Sequence, residues 1–442
     1  MTTAMRGTSR EDGGDDTTHA DLPRLLPGQG EHLGEWRAHQ AKHGRPPYQG
    51  GPGQLMRVLQ MAGLTGRGGA AFPVHRKLTA VGEAAAKSHR SPVVVANGAE
   101  SEPASDKDAT LLWLAPHLVL DGLQLAAEAV GADRATLYTH ADRRNDVGKR
   151  LRNALAERKA AGIDLVPVGL AEAPPRFLAG QETALVNHLG GGPAVPTFIP
   201  PRITERGLGN APTLVQNVET LAHLALIARH GPRWFRTVGT PNEPGSMLCT
   251  IRRADGQPRV VEVPLGVPLR ELLGDLPQDG AVLVGGYHGA WIPAAQAAKL
   301  TLDNASLGKA GAMVGAGILI TLPRDRCGLA ETALAVRYLA LESAGQCGPC
   351  LNGLPRIAAA LAELAGARPR ARTRADVERW AGLVTGRGAC HHPDGTARLV
   401  RSALTTFAAE LGRHERGRCG ATSSKPFLPI PRETARTEED WM

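Results

Sequence analysis

Three cysteines in the last third of the chain have a spacing that suits metal binding. Cys347 and Cys350 form a Cys-x-x-Cys pair, and Cys390 follows in a later loop. A Cys-x-x-Cys pair with a distant third cysteine can hold three corners of an iron–sulfur cube. The same thiols could instead bind zinc, with His391 or His392 as the fourth ligand, or could stay free. Metal binding is favoured because the loops of one helical region carry all three cysteines.

A glycine-rich stretch near the start of the chain has the composition of a phosphate or flat-ligand site. Gly63–Pro73 contains four glycines in its first seven residues, with Arg67 among them. Glycine tolerates positive φ and lets a ligand approach the backbone, and successive free N–H groups form a nest for anions. Arg67 and Lys77 are the candidate phosphate partners. The alternative is a flexible surface loop, because a glycine run alone is a weak signal.

Alternating strands and helices are predicted to position these groups. Such alternation indicates a parallel α/β layer, in which ligands bind at the carboxyl ends of the strands. The predicted elements here are a helix over Gln54–Ala62, a strand over Ser91–Gly98, a helix over Leu118–Val130, and strands over Ala135–Thr139 and Asp164–Val168. Glu100 and Glu102 directly follow the first strand, so two acids are expected where a ligand would bind.

Two further segments place polar side chains at the start of predicted helices. Gln181 and Glu182 follow Gly180, where free helix N–H groups favour an anion or a carbonyl. Pro212–Thr220 is predicted to begin another helix, again with amide and hydroxyl side chains first. Helix capping is the alternative role for these residues.

The second half of the chain changes character twice. A small α+β region is expected from its hairpin pattern and apolar runs, with strands over Met247–Ile251, Val260–Val263, Ala281–Tyr287 and Gly317–Leu322 and a helix over Val267–Leu273. A small helical bundle should follow, with helices over Leu329–Leu341, Leu354–Ala365, Ala375–Val384 and Thr396–Leu411. The predicted divisions are 1–45 (disordered or extended), 46–243, 244–326, 327–412 and 413–442 (an extended tail).

Composition limits the class of protein. The net charge of +8 is spread along 442 residues without a long Lys/Arg run, which argues against nucleic-acid binding. A basic face could still dock an acidic protein such as a ferredoxin. No apolar run reaches the ~18 residues of a membrane span, and the polar N-terminus lacks the apolar region of a secretory signal. The sequence thus predicts a cytoplasmic protein with reduced cysteines, at most peripherally associated with a membrane through partners.

Five motifs, in this order, make the chain similar to the flavin-carrying, NADH-binding subunit of respiratory complex I, the F subunit of bacterial NADH:quinone oxidoreductase. Related diaphorase subunits of hydrogenases and formate dehydrogenases share the module. The motifs are Gly66–Pro73 (GRGGAAFP), Glu100–Pro103 (ESEP), Gly180–Leu185 (GQETAL), Asn217–Thr220 (NVET) and Cys347–Cys350 (CGPC). The resemblance extends from about residue 55 to about residue 411.

This resemblance implies a multidomain α/β protein. Its parts would be a flavin-binding α/β domain, a ubiquitin-like β-grasp domain of the SLBB type and a C-terminal four-helix iron–sulfur domain. The implied cofactors are FMN, a [4Fe–4S] or [3Fe–4S] cluster, and NADH or NADPH. Cofactor binding would fall to Gly66, Arg67, Gly68, Gly69, Phe72, Lys77, Asn97, Glu100, Glu102, Phe177, Gly180, Gln181, Glu182, Gln216, Asn217 and Thr220. Glu102 would also be catalytic, and Cys347, Cys350 and Cys390 would bind the cluster.

Several residues depart from the family pattern. The first of three cluster cysteines is replaced by Ala344, and Cys327 is separated from the others by a helix that spans roughly 20 Å. His391, His392, Asp394, Ser343, a partner's side chain or water are the remaining candidates for the fourth ligand. In the nucleotide region Ala99, Gln181, Phe177, Ile199 and Arg202 replace the usual residues. FMN binding is therefore better supported than NADH binding.

The main hypothesis is an NADH dehydrogenase-like subunit that passes electrons between NAD(P)H, FMN and an iron–sulfur cluster. The next acceptor would be a ferredoxin-like or thioredoxin-fold [2Fe–2S] protein or a quinone-reductase partner. One alternative is an electron-transfer subunit that has lost nucleotide binding. The other is a non-catalytic scaffold of the same fold with a structural metal.

Overall fold

The computed structural model describes residues 22–28, 31–51, 53–140, 146–254, 257–276, 280–431 and 438–442. Of the stretch predicted to be disordered or extended, 1–45, residues 1–21 lie outside the described residues. The described chain contains a parallel α/β layer, a second mixed sheet and a helical region.

The first layer is a four-stranded parallel sheet in the order β3-β2-β1-β4. Its strands are β1 (Val93–Gly98), β2 (Arg134–Thr139), β3 (Val168–Glu172) and β4 (Thr213–Asn217). Its helices are α1 (Trp36–His43), α2 (Gln54–Ala62), α3 (Val74–Ser88), α4 (Lys107–Leu114), α5 (Pro116–Val130), α6 (Val147–Ala161), α7 (Glu182–Leu189) and α8 (Val218–Phe235).

The winding of this sheet reverses at β1. The chain runs outward from β1 through β2 to β3 and then returns to β4 on the other side of β1. In such sheets the reversal leaves a crevice at the carboxyl ends of the two strands, where ligands bind. Helices α5 and α8 pack closely behind it, and a Cβ at Gly122 would lie 1.9 Å from the carbonyl oxygen of Leu221.

Two predictions of secondary structure were wrong in this layer. Thr213–Asn217, predicted as the start of a helix, is strand β4, because it pairs with β1 and the helix begins only at Val218. The third strand is shifted from Asp164–Val168 to Val168–Glu172, since pairing with β2 starts at Val168. Short buried apolar runs do not distinguish a strand from a helix by pattern alone, and the distant partner strand decides.

The second layer is a five-stranded sheet in the order β6-β5-β9-β7-β8. Strands β5 and β9 are parallel, whereas the other pairs are antiparallel. Its elements are β5 (Ser246–Arg252), β6 (Pro258–Pro264), α9 (Leu269–Leu273), β7 (Ala281–Val284), β8 (Ala290–Pro293), α10 (Ala294–Ala297), α11 (Asn304–Gly308) and β9 (Ile318–Thr321). Strand β8 had no counterpart in the sequence prediction.

The helical region contains α12 (Gly328–Leu341), α13 (Leu354–Ala365), α14 (Thr373–Val384), α15 (His392–Thr406) and α16 (Ala408–Glu415). The single helix predicted over Thr396–Leu411 is therefore two helices. The chain leaves helical geometry at Phe407, whose ring packs against Gly328 and Trp291; a Cβ at Gly328 would lie 2.1 Å from that ring. Pro393 in the first turn allows α15 to begin earlier than predicted.

Residues 22–28 and 31–45, which belong to the stretch predicted to be disordered or extended, include parts that pack onto the protein. Helix α1 buries Trp36 and His39. The backbone N–H groups of Arg24 and Leu25 both donate to the carboxylate of Glu262 in β6, at 2.7 Å. This segment therefore joins the first layer to the second.

Within the described residues, no single helix has the length and hydropathy of a membrane span. Helices α4 and α5 meet both criteria only when taken together, and they are bent by 96° relative to each other.

Candidate functional site

The β1–β4 crevice brings together residues from three of the sequence motifs. Asn97 is paired with Asn217, and Ala96 with Gln216, at the carboxyl ends of the two strands. The Asn97 amide donates to the carbonyl oxygen of Gly180 at 2.8 Å, which brings the start of α7 to the same place. Gly180 has to be glycine there, because a Cβ would lie 2.5 Å from the carbonyl oxygen of Ala99.

The glycine loop closes over this crevice. A bridge between Thr65 and Pro73 ties its two ends, and the N–H of Gly66 donates to the carbonyl oxygen of Phe72 at 2.9 Å. A Cβ at Gly68 would lie 3.3 Å from the Cβ of Asn217, so the loop backbone approaches the end of β4 closely. The Phe72 ring is 49% exposed, which leaves its face open to a flat ligand.

Arg67, predicted as a phosphate partner, is instead bonded within the protein. Its guanidinium is buried and donates to the Thr65 hydroxyl and to the carbonyl oxygen of Pro244, at 3.0 and 3.2 Å. Its backbone N–H donates to the Thr220 hydroxyl at 2.8 Å. Arg67 and Thr220 therefore fix the loop against α8 and the second layer.

The start of α7 shows both capping and a charged pair. The Gln181 side chain caps the helix, since its Oε1 accepts from the N–H groups of Thr183 and Ala184 at 2.9 Å. The neighbouring Glu182 carboxylate forms an ion pair with Lys77 at 2.6 Å. Lys77 is thereby held at the crevice with its ammonium group in place.

Two buried donors of the described residues around the crevice lack a partner, Nε of Arg67 in the glycine loop and the amide of Gln216 at the end of β4. The Nε2 atom of Gln216 is buried and has no hydrogen-bond partner among the described residues. A buried amide without a partner costs about 1–3 kcal/mol, so a ligand acceptor is expected there. This orphaned donor, with the backbone approaches at Gly68 and Gly180, fits a flat, polar, ring-shaped cofactor such as a flavin.

A buried charged cluster lies under the crevice and was missed by sequence reasoning. The Lys107 ammonium lies 2.7 Å from Asp108 and 2.8 Å from Glu219, and all three side chains are buried. Asp108 in turn accepts from the Asn217 amide at 2.7 Å. These contacts orient Asn217. The only sequence signals for this charged cluster were the Lys-Asp pair that begins α4 and the glutamate in Asn217–Thr220.

The protonation states in this cluster follow from burial and pairing. Burial opposes the charged form of Lys107, but Asp108 and Glu219 outweigh it and raise the pKa of the ammonium. Burial favours protonation of Glu219, yet Lys107 and His223 outweigh it and lower the pKa of Glu219 to about 2. Burial and the nearby Asp108 raise the pKa of Glu100.

The two predicted acids after β1 face different surroundings. The Glu100 carboxylate accepts from the N–H of Ala109 at 3.1 Å and lines a cavity of about 310 Å³. Glu102, predicted as catalytic, accepts from the N–H of Tyr287 at 3.0 Å. Glu102 therefore lies where the first layer meets the second sheet.

Phe177 connects this region to the cysteines. Its N–H donates to the carboxylate of Glu342 at 2.9 Å, and Glu342 is the first residue of the segment that carries Cys347 and Cys350. The Phe177 ring packs edge-on against His288, with ring centres 4.9 Å apart. Phe177 thus spans the boundary between the α/β layer and the helical region.

The cysteine loop is the segment 342–353 between α12 and α13, and Cys390 faces it from the turn before α15. Burial raises the pKa of Cys350 to about 12, and the neighbouring thiols of Cys347 and Cys390 contribute to the rise. Among the described residues, the three thiols do not form a group of three or more ligand atoms that all lie within 4.8 Å of one another.

The proposed replacements for the fourth ligand have different surroundings. Both ring nitrogens of His392 are already engaged, with His288 at 3.0 Å and with the carbonyl oxygen of Leu339 at 2.8 Å. This arrangement removes His392 as a ligand. His391 is fully exposed, and its Nδ1 lies 3.5 Å from Asp394.

Comparisons with known proteins agree with this geometry. Residues 59–226 match the family model of the Nuo51 FMN-binding domain, and residues 330–414 match the NADH-ubiquinone oxidoreductase-F iron-sulfur binding region. The chain is 30% identical to the second NADH-quinone oxidoreductase F subunit of Rhizobium meliloti (strain 1021), over 83% of this chain and 90% of the relative. It is 32% identical to the F subunit of the same enzyme from Mycobacterium tuberculosis (strain H37Rv), over 83% and 85%.

The chain belongs to the family of NADH-quinone oxidoreductase F subunits.

Solved structures give the same result at the level of the fold. An NAD+-reducing [NiFe]-hydrogenase in the H2-reduced state superposes with a TM-score of 0.71 at 29% identity, over 82% of this chain. The air-oxidised state gives a TM-score of 0.72 at 26% identity, over 87%. The chain spans 62% and 65% of the length of those hydrogenase chains.

Membership in the F-subunit family confirms the resemblance drawn from the motifs. It supports FMN, a [4Fe–4S] cluster and NADH as cofactors, and an NADH dehydrogenase flavoprotein subunit as the class of enzyme. The assignment of individual residues to these cofactors stays a prediction, as do the domain boundaries.

Proposed function

We propose that this member of the F-subunit family carries electrons from a reduced nicotinamide nucleotide through FMN to an iron–sulfur cluster, and on to a separate ferredoxin-like or thioredoxin-fold [2Fe–2S] protein. When bound, FMN accepts a hydride from the nucleotide and passes single electrons to the cluster. The observation that carries the proposal is the orphaned amide of Gln216 in the β1–β4 crevice.

The residues of the crevice supply binding and orientation. The Gln216 amide and the backbone of Gly66–Gly69 would hold the flavin ring, and the fixed ammonium of Lys77 would add a positive charge. Phe72 is 49% and Phe198 is 82% exposed, so both offer rings on which a nucleotide base could stack. Glu102, held by the backbone of Tyr287, would act beside the nucleotide.

The finer details of fold and partner belong to the same proposal. The order β6-β5-β9-β7-β8, with a parallel central pair, supports a ubiquitin-like β-grasp domain of the SLBB type. Cys347, Cys350 and Cys390 would hold three irons of the cluster, and the fourth would take an exchangeable ligand because position 344 is alanine. The cytoplasmic location predicted from the sequence is retained here.

An anaerobic absorbance spectrum with and without NADH tests this function. We expect one FMN per chain in protein reconstituted with flavin and iron, and bleaching of the flavin band by NADH. Bound FMN that NADH does not reduce would indicate the electron-transfer protein without nucleotide binding. Protein that folds but takes up no FMN would overturn the proposal in favour of the scaffold.

A further inference from the structure

A second group of metal-binding side chains lies away from the cysteine loop, at the opposite end of α12. It consists of Cys327, Glu410, His414 and Cys419, which we call the Cys327 cluster. One potential ligand atom from each residue lies within 4.8 Å of those of the other three. The first three side chains are buried, and Cys419 is exposed.

The sequence brings these residues together through two helices. Cys327 is the residue directly before α12, so it lies at that helix's N-terminus. Glu410 and His414 are one turn apart on α16 and therefore share a face. Cys419 follows shortly after α16 ends. Helix α12 has 14 residues, which at 1.5 Å each separates Cys327 from the cysteine loop by about 20 Å.

The histidine is oriented as a ligand would be. His414 Nδ1 lies 3.2 Å from the carbonyl oxygen of Leu364 and 3.1 Å from that of Gly366, so this nitrogen carries the hydrogen. The other ring nitrogen, Nε2, then faces the Glu410 carboxylate at 3.1 Å and the Cys327 sulfur at 3.5 Å. Metal-binding histidines are commonly held by such a backbone contact at the other nitrogen.

The remaining donors are also held by second partners. Burial raises the pKa of the Cys327 thiol to about 12, and the N–H groups of Leu329 and Ala330, which donate to its sulfur, hold it in position at the start of α12. The Glu410 carboxylate accepts from Arg413 Nε and from the N–H of Gly420, each at 2.7 Å. Cys327 and Glu410 therefore both keep their positions without a metal.

We propose that the Cys327 cluster binds one structural Zn²⁺ through two thiolates, one imidazole and one carboxylate. Nitrogen and sulfur ligands in a four-coordinate set are those that zinc prefers. The Nε2 atom and the Glu410 carboxylate are 3.1 Å apart, so a proton or a metal ion has to lie between them, and zinc would take that place. The ion would hold the segment after α16 against the start of the helical region. Further along this segment, the backbone N–H groups of Phe427 and Leu428 donate to the carboxylate of Glu331 in α12.

Metal analysis of the intact, anaerobically purified chain tests this proposal. We expect one zinc per chain in addition to iron, and X-ray absorption at the zinc edge should show two sulfur atoms at about 2.3 Å and nitrogen or oxygen at about 2.0 Å. Cys419→Ser should lose the zinc and keep its iron and FMN, and its exposed position favours a folded variant. The matched control, Cys347→Ser, should lose iron and keep zinc.

Three outcomes would overturn the zinc site. The first is absence of zinc after incubation with excess Zn²⁺ and removal of loosely bound metal by a chelator. The second is zinc that is lost from Cys347→Ser and retained in Cys419→Ser. The third is a disulfide between Cys327 and Cys419 in protein purified without oxygen, detected by mass spectrometry. A histidine–glutamate ion pair without metal would give the first outcome.

Discussion

The β1–β4 crevice and the cysteine loop differ in how much of each site the chain itself provides. In the crevice, Asn97, Lys77 and Asn217 are each held by partners from other elements, and one amide donor is left for a ligand. The cysteine loop and Cys390 together offer three thiols, with Ala344 at the position of the fourth. A backbone cradle, meaning a site formed mainly by main-chain atoms, tolerates replaced side chains because the main chain makes most of the contacts with the ligand. A cluster depends on four particular atoms, so one substitution changes its chemistry.

The strongest test of the cradle is Gly68→Val. The new side chain would start 3.3 Å from the Cβ of Asn217 and fill the crevice, so we expect loss of bound FMN with iron retained. Flavin and iron content of the purified variant would be measured beside Gly382→Val, which makes the same change where no atom lies within 4 Å of the new Cβ. A folded Gly68→Val protein with a full complement of FMN would show that the loop does not form the site.

The buried charges under the crevice should matter more than charges at the surface. Lys107→Met would leave Asp108 and Glu219 without their cation, at a cost of about 3–5 kcal/mol in the free energy of unfolding. Lys42→Met, which removes a surface pair with Glu31, should cost at most about 1 kcal/mol. Calorimetry of both variants measures how much free energy of unfolding each one loses, and equal losses would contradict this expectation.

The effect of Lys107→Met should also depend on pH. Pairing holds the pKa of Glu219 at about 2, below the ordinary value of 4.5, so its contribution to stability is complete above pH 4.5 and declines as the pH falls towards 2. In the variant, the unpaired buried carboxylates bind protons more tightly than in the unfolded chain. The variant should therefore lose less stability relative to the wild type at about pH 5 than at about pH 8.

The cysteine loop should become less sensitive to oxygen when its missing thiolate is restored. With three thiolates, one iron has a weaker ligand, and we expect the [4Fe–4S] form to convert readily to [3Fe–4S] in air. Ala344→Cys should slow this conversion, whereas Ala295→Cys, which adds an exposed thiol on α10 of the second layer, should not. Iron content and EPR before and after exposure to air measure the rates, and identical decay in all three proteins would count against the incomplete site.

The smallest expected change concerns nucleotide choice at the start of α7. Gln181 has one negative charge fewer than the family residue, which should weaken discrimination against the 2′-phosphate of NADPH. Gln181→Glu should raise the preference for NADH over NADPH by about fivefold, equivalent to about 1 kcal/mol. The ratio of kcat/KM values would be compared with that of Gln296→Glu on α10, and no difference between the two variants would exclude this role.

The motifs alone were sufficient to identify the family and the main parts of the fold. Gly66–Pro73 and Cys347–Cys350 were recognisable because close backbone approach requires glycine and cluster ligation requires cysteine at a set spacing. Helix α2 was predicted at its observed bounds, since its apolar spacing is regular and glycines flank it. These features are local, so neighbouring residues are enough to reveal them.

Only the tertiary structure decided the features that depend on distant partners. Thr213–Asn217 is a strand because β1 lies beside it, and its sequence would equally suit a buried helix. Arg67 is bonded to Pro244, far along the chain, which its position among glycines did not reveal. The Cys327 cluster joins residues from the two ends of the helical region. Their spacing in the sequence carries no metal motif, and only the folding of the helical region places the residue before α12 beside α16 and the following segment.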